Sequence, residues 1–167
     1  DASAPNYGGD PSVVVAIIDT GVAYEDYGNF LKAPDLADTS FTAGYDFANE
    51  DSHPNDDNAH GTHVAGTIAQ STNNINGTAG IAFKTTIMPI KVLGSDGSGL
   101  MSNVARGIAF AMNNGADVIS MSLEGPQTEV LTEAVVTAIQ PYYWRLNEHA
   151  GVDDFSQEYH THMHNDS

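Results

Sequence analysis

Val13-Val14-Val15-Ala16-Ile17-Ile18-Asp19-Thr20-Gly21 is a β-branched, apolar run closed by an acid, a hydroxyl and a glycine. An apolar run of this length without alternation reads as a strand buried on both faces, the mark of a parallel sheet. Its C-terminal end delivers Asp19 to the sheet edge, where open α/β sheets place their sites. Outward from it the pattern repeats. Gly44 to Ala48 reads as a short strand, Thr86 to Val92 as another with Pro89 at an edge or irregular position, and Ala116 to Leu123 as a third. Between them lie helical patterns. Ser102 to Asn114 carries Val104, Ile108 and Met112 at i, i+4, i+8, with Ser102 as cap and Gly115 as stop. Thr128 to Ile139 reads as a last helix bounded by Pro141. Alternating strands and helices predict an α/β fold, a mostly parallel sheet flanked by helices.

A second stretch, Asn58-Ala59-His60-Gly61-Thr62-His63-Val64-Ala65-Gly66-Thr67-Ile68-Ala69, passes from a polar approach into small and apolar residues with helical spacing. Val64 and Ile68 are expected to face a core, and Gly61, Ala65 and Gly66 to let the helix lie close to a neighbouring backbone. His60 then sits where a loop becomes a helix, exposed at its tip and fixed at its root. That suits a general base, since imidazole titrates near neutrality. A lone histidine is more often a surface residue, and His60 with His63 could also ligate a metal.

Together the two stretches resemble the subtilisin-like serine proteases, the subtilases. Their Asp motif is similar to Ile18-Asp19-Thr20-Gly21, and their His motif to His60-Gly61-Thr62-His63-Val64-Ala65-Gly66. The resemblance runs from about Val13 to about Ile139 and takes in Ile90-Lys91-Val92-Leu93 and Ile119-Ser120-Met121-Ser122-Leu123. It implies a partial subtilisin-like fold, with Asp19 and His60 as the acid and base of a catalytic triad. It also implies a substrate cleft lined by Gly97, Ser98, Gly99 and Leu100 and by Ser122, Leu123, Glu124 and Gly125, where a peptide pairs as an added strand. Glu124 stands where the family usually has glycine, so its side chain is expected to intrude and to disfavour acidic or bulky residues.

The family's nucleophile is a serine in a Gly-Thr-Ser-Met-Ala-type segment, and none of this chain's serines has that context. No Gly-x-Ser-x-Gly elbow is present either. The expectation is therefore residues 1–140 as a partial subtilase domain and 141–167 as an unrelated acidic, His-rich tail. The strand edge at Ile119–Leu123 is then left unpaired, open to homodimerisation or to cover by Tyr142, Tyr143, Trp144 and Phe155. Three functions follow as alternatives: a serine endopeptidase scaffold with an incomplete triad, an inactive calcium-binding fragment, or a metal-dependent hydrolase built on the tail.

Metal candidates fall in three places. Asp46, Asn49, Asp51 and Asn55, with the His53 carbonyl, gather hard oxygen donors on one turning loop, which suits calcium. The spacing resembles a calcium loop ahead of the catalytic histidine in some heat-stable subtilases. The family also commonly holds calcium at a loop similar to Thr72–Thr78. There Asn74, the carbonyls of Thr72, Asn76 and Thr78, and the acid Asp35 match the ligand positions. His160, His162 and His164 alternate, so on a strand three imidazoles converge on one face and could take zinc, nickel or copper. Short terminal His tracts more often bind metal adventitiously.

Composition bounds the rest. At 167 residues and 41% apolar the chain is expected to be one domain with a real core. It has no cysteine, so neither a disulfide nor a thiol nucleophile. The net charge of −17, with five Lys and Arg, argues against nucleic acid as a partner and for bound cations, notably calcium, or a strongly hydrated acidic surface. Peptide or protein substrates are what the subtilase resemblance implies. No apolar run reaches membrane-span length and no signal peptide is present. The expectation is a secreted protein whose export segments are already removed.

Overall fold

The apolar run forms β1 (Val14–Asp19), the strand around which the other elements are arranged. The computed structural model describes residues 7–75 and 77–150, with side chains described through 140. β1 pairs in parallel with β4 (Thr86–Lys91), from Val14 opposite Thr86 to Asp19 opposite Lys91. Its other side pairs in parallel with β5 (Val118–Ser120). The far side of β4 takes two short parallel strands, β2 (Ser40–Phe41) and β3 (Tyr45–Asp46). The order is β2-β4-β1-β5, with β3 also on β4.

Burial on both faces follows from the sequence of β1. Val15 and Ile17 face one core with Val22, Leu36 and Ile87, closed by Ala65 and Ala69 of α1 (His60–Ala69). Ala16 and Ile18 face the other with Met88, Ile90 and Phe47, closed by Val104, Ile108 and Ala111 of α2 (Met101–Asn113). α3 (Glu129–Ala150) packs on α2. Ile17 and Ile18 are fully buried, each a gain of about 1.5–3 kcal/mol over exposure. Within α1 the alanines and glycines are buried, while Val64 and Ile68 pack at the rim of the core.

Four details differ from the sequence-based expectation. Of the two positions expected for Pro89, the structure gives the irregular one and not the edge: it lies in an inner strand, opposite Ile17. Proline lacks a donor, and here none is needed. The neighbouring side of β4 is shared by β2 at Ile87 and β3 from Ile90 on, with Gly44 passing Pro89 between them. A Cβ on Gly44 would stand 1.9 Å from the Pro89 carbonyl oxygen, so only glycine allows that approach. Ser102 does not cap α2; the N-cap is Leu100, without a side-chain hydrogen bond. The third strand shrinks to Val118–Ser120, since it pairs only with Val15–Ile17 and, among the described residues, has no partner on its outer side. Finally, α3 continues through Pro141 to Ala150. Proline forfeits one helical hydrogen bond there, and nothing in the described residues accounts for its being tolerated.

The topology fixes where a site can form. From β1 the chain reaches β4 on one side, and from β4 it crosses to β5 on the other. Connections that diverge in this way open a crevice at the C-terminal ends of the strands. Asp19 ends β1 at that crevice and shares strand parity with Val15 and Ile17, the residues that face α1.

Candidate active site

α1 begins at His60 with its ring beside Asp19, and Nδ1 lies 2.8 Å from Asp19 Oδ1. A carboxylate only accepts, so Nδ1 carries the hydrogen and Nε2 keeps the lone pair in the neutral ring. Asp19 is 1% exposed and the His60 side chain 51%. Asp19 Oδ1 also accepts from the Thr20 N–H, while Oδ2 is shielded and has no hydrogen-bond partner. The imidazole and the Thr20 N–H are thus the hydrogen-bond donors to this buried carboxylate among the described residues. The hydrogen bond to Asp19 first, and its charge second, raise the His60 pKa above the usual 6.5. Among the described residues Nε2 has no hydrogen-bond partner, and no serine bonds to the ring.

Gly61 makes this contact sterically feasible. A Cβ there would lie 2.1 Å from the Gly21 carbonyl oxygen and 3.1 Å from Asp19 Cβ. Any other residue would push α1 off the end of β1 and separate the pair.

The helix start has an unusual root. Ala59, its N-cap, has φ 87° and offers no side-chain cap. Asp56 supplies one from outside the cap position. Its Oδ1 accepts from the N–H groups of Asn58 and Ala59 and from Thr20 Oγ1. Its Oδ2 accepts from the Thr62 N–H and hydroxyl. Thr20 Oγ1 in turn accepts from the Gly61 N–H. Burial pushes Asp56 up, but the bonds from Thr62, Asn58 and Ala59 outweigh it and hold the carboxyl below its usual value.

Lys91 lies beneath the same loop, 1% exposed. Its ammonium donates to the carbonyls of Thr20 at 2.6 Å and Leu93 at 2.7 Å, and to Asp57 Oδ1 at 2.6 Å. All three donors are used, as a buried cation requires. Sequence reasoning missed both Asp56 and Lys91. For Lys91 a signal existed: a charge inside Thr86–Val92, an otherwise apolar strand, must have partners.

An open cleft of about 470 Å³ faces His60 and Thr20. The expected residues Gly97, Ser98, Gly99, Ser122, Leu123, Glu124 and Gly125 line it. Leu93, Met101 and Val104 add apolar groups to the lining. Leu100 is 67% exposed and does not line it.

The pattern of residues over 10–152 matches the model of the subtilase family. The chain belongs to the subtilase family. It is 46% identical over 109 residues to a thermophilic serine proteinase of Bacillus sp. (strain AK1), covering 65% of this chain and 25% of that protein. Thermitase of Thermoactinomyces vulgaris is 46% identical over 111 residues, 66% of this chain and 37% of thermitase. Subtilisin DY of Bacillus licheniformis is 42% identical over 125 residues, 74% and 42%. The fold is similar to the crystal structure of a cold adapted subtilisin-like serine proteinase, with a TM-score of 0.66 and 33% identity, over 84% of this chain and 46% of that one. The subtilase chain described here therefore spans less than half the length of these relatives.

The loop candidates for calcium differ in what holds them. Asp46 is buried, and its oxygens accept from the N–H groups of Ala48 and Asn49 and from Asn49 Nδ2. Asp51 Oδ1 accepts from the His53 N–H, and the His53 carbonyl from the Asn55 N–H. Asn55 is buried, and its Oδ1 has no hydrogen-bond partner. At the second loop Asn74 Nδ2 donates to Asp35 Oδ1, while Asp35 Oδ2 is shielded without a hydrogen-bond partner. A shielded amide oxygen and a shielded carboxylate oxygen, each lacking a donor, fit a hard cation. Thr78 bonds Gln70 through its hydroxyl; Asn76 lies outside the described residues. So do His160, His162 and His164. Among the described residues, no three His, Cys, Asp or Glu gather as metal ligands, and no helix is long and apolar enough to cross a membrane.

Proposed function

We propose that this subtilase chain carries the acid–base half of a serine endopeptidase site. Asp19 orients His60 and offsets the charge of its protonated ring, and His60 Nε2 is the general base for a serine hydroxyl. The 97–99 and 122–125 segments hold an extended peptide by main-chain pairing. The observation that carries the proposal is the 2.8 Å contact between the His60 ring and a 1% exposed Asp19 at the mouth of the cleft. Membership of the subtilase family supports it. The serine itself is supplied by no residue bonded to Nε2 among those described.

Asn55 with the Asp46–Asp51 loop, and Asp35 with Asn74, would hold calcium. The ion would cross-link loops and take no part in the chemistry. A secreted protein fits this reading, since extracellular modules bind calcium at about 10⁻⁴–10⁻³ M.

Labelling with a fluorophosphonate probe in calcium, followed by peptide mapping, tests the half-site. No stoichiometric adduct is expected on the folded chain by itself. An adduct on one serine that disappears in His60→Ala would instead reveal a complete triad built from an unforeseen residue.

A further inference from the structure

The cleft lining is rich in apolar groups and poor in charge. Among the described residues, Glu124 is, besides His60, the one ionisable side chain that lines the cleft. Glu124 is exposed and makes no hydrogen bond or ion pair among the described residues. Next to it, Met101 packs against Gly125, with the methyl carbon of Met101 3.2 Å from where a Cβ on Gly125 would stand. The lining thus joins thioether and aliphatic groups of Met101 and Leu93 with the unpaired carboxylate-bearing side chain of Glu124.

We propose that Glu124 makes this cleft select peptides with a lysine or arginine side chain. The proposal rests on the peptide-cleft reading above and adds the substrate class. A lysine or arginine matches both parts of the surface. Its methylene stem lies on apolar groups while its cationic head stays near water, and a charge-assisted hydrogen bond to Glu124 fixes the head. An acidic side chain meets like charge there, and a leucine meets the apolar lining but leaves the carboxylate without a partner. The net charge of −17 on the chain favours approach of cationic peptides in the same sense.

The test uses Ala-Ala-X chloromethyl ketones with X as Lys, Leu or Glu, at low salt, on the full chain. His60 Nε2 attacks the methylene carbon, the C–Cl bond breaks, chloride leaves, and Asp19 faces the resulting imidazolium. This step needs no serine. Rates are read by intact mass, and the site by peptide mapping. The expected order is Lys, then Leu, then Glu, with Lys at least about tenfold over Glu, as for one charge-assisted bond against one like-charge contact. In Glu124→Gln and Glu124→Gly the Lys-to-Glu ratio should collapse toward unity, and in Glu124→Lys it should invert. Labelling of His60 with a ratio that ignores residue 124 would overturn the selectivity while leaving the peptide-cleft reading intact. Failure of all three ketones to label His60 on folded protein would overturn both.

Discussion

Two histidines in this chain meet a carboxylate through Nδ1 at the same 2.8 Å: His60 on Asp19 and His53 on Glu25. The pairs differ in everything else. Asp19 is 1% exposed at the end of a central strand, and Glu25 is 31% exposed in a loop. The His53 ring stacks on Tyr27, with centroids 3.6 Å apart and planes 6° from parallel, and Asn55 donates to the same Glu25 oxygen. His60 lines the cleft, whereas His53 does not. A short His–acid contact is therefore not enough to mark a base. What distinguishes His60 is a buried acid on a rigid element and an open space in front of the ring. His53 and Glu25 form a clasp that ties the Asp46–Asn55 loop to the loop that follows β1.

The largest expected difference between the pairs is in reactivity. Asp19→Asn should slow alkylation of His60 by a peptidyl chloromethyl ketone about 10- to 100-fold, because ring orientation and basicity are both lost. Glu25→Gln should leave that rate within about twofold, as expected of a pair remote from the cleft. Equal losses in the two variants would erase the distinction.

Stability should divide the regions next. Lys91→Met removes the cation that holds the Thr20 carbonyl and Asp57 beneath the site. The cost expected in urea unfolding is about 3 kcal/mol, at the low end for a broken buried pair because Asp57 is partly exposed. Glu25→Gln should cost less than about 1 kcal/mol.

Calcium should act on one pair and not the other. If it binds through Asn55, adding it should shift the His53 ring resonances, leave the His60 titration in place, and raise stability by about 2.7 kcal/mol at a hundredfold excess over Kd. Asp35→Asn should reduce any part of that increment due to the second loop. A calcium-independent unfolding curve would dispose of both loop sites.

The smallest effect is in pH. The His60 pKa is raised, so stabilisation by its pair is full below the usual 6.5 and is lost as pH rises through the folded-state value. Burial alone would raise Glu25, but hydrogen bonds from His53, Tyr24 and Asn55 hold it below its usual 4.5. Its contribution is present above 4.5 and is lost as pH falls through the folded value. NMR titration of the His60 ring should give a midpoint above 6.5 that drops in Asp19→Asn. A midpoint unmoved by that change would mean the carboxylate does not act on the ring in solution.

The sequence by itself determined the strand at Val14–Asp19, the helix at His60 and the α/β class. Apolar periodicity and local breakers carry that information within single segments. It also singled out Asp19 and His60, because one sits where a strand ends and the other where a helix begins. Only the tertiary structure decided which groups support them. Asp56 reaches forward to Thr62 and back to Thr20, Lys91 reaches under Thr20 from a neighbouring strand, and Gly61 packs so closely on Gly21 that a Cβ would stand 2.1 Å from its carbonyl oxygen. Pro89 sits in an inner strand for the same kind of reason, since two short strands leave a gap where its missing donor goes unneeded. These contacts join residues distant along the chain, and no local pattern encodes them. They exist because strand register and helix packing bring specific backbone groups together, and a buried polar group must then find a partner wherever the fold has placed one.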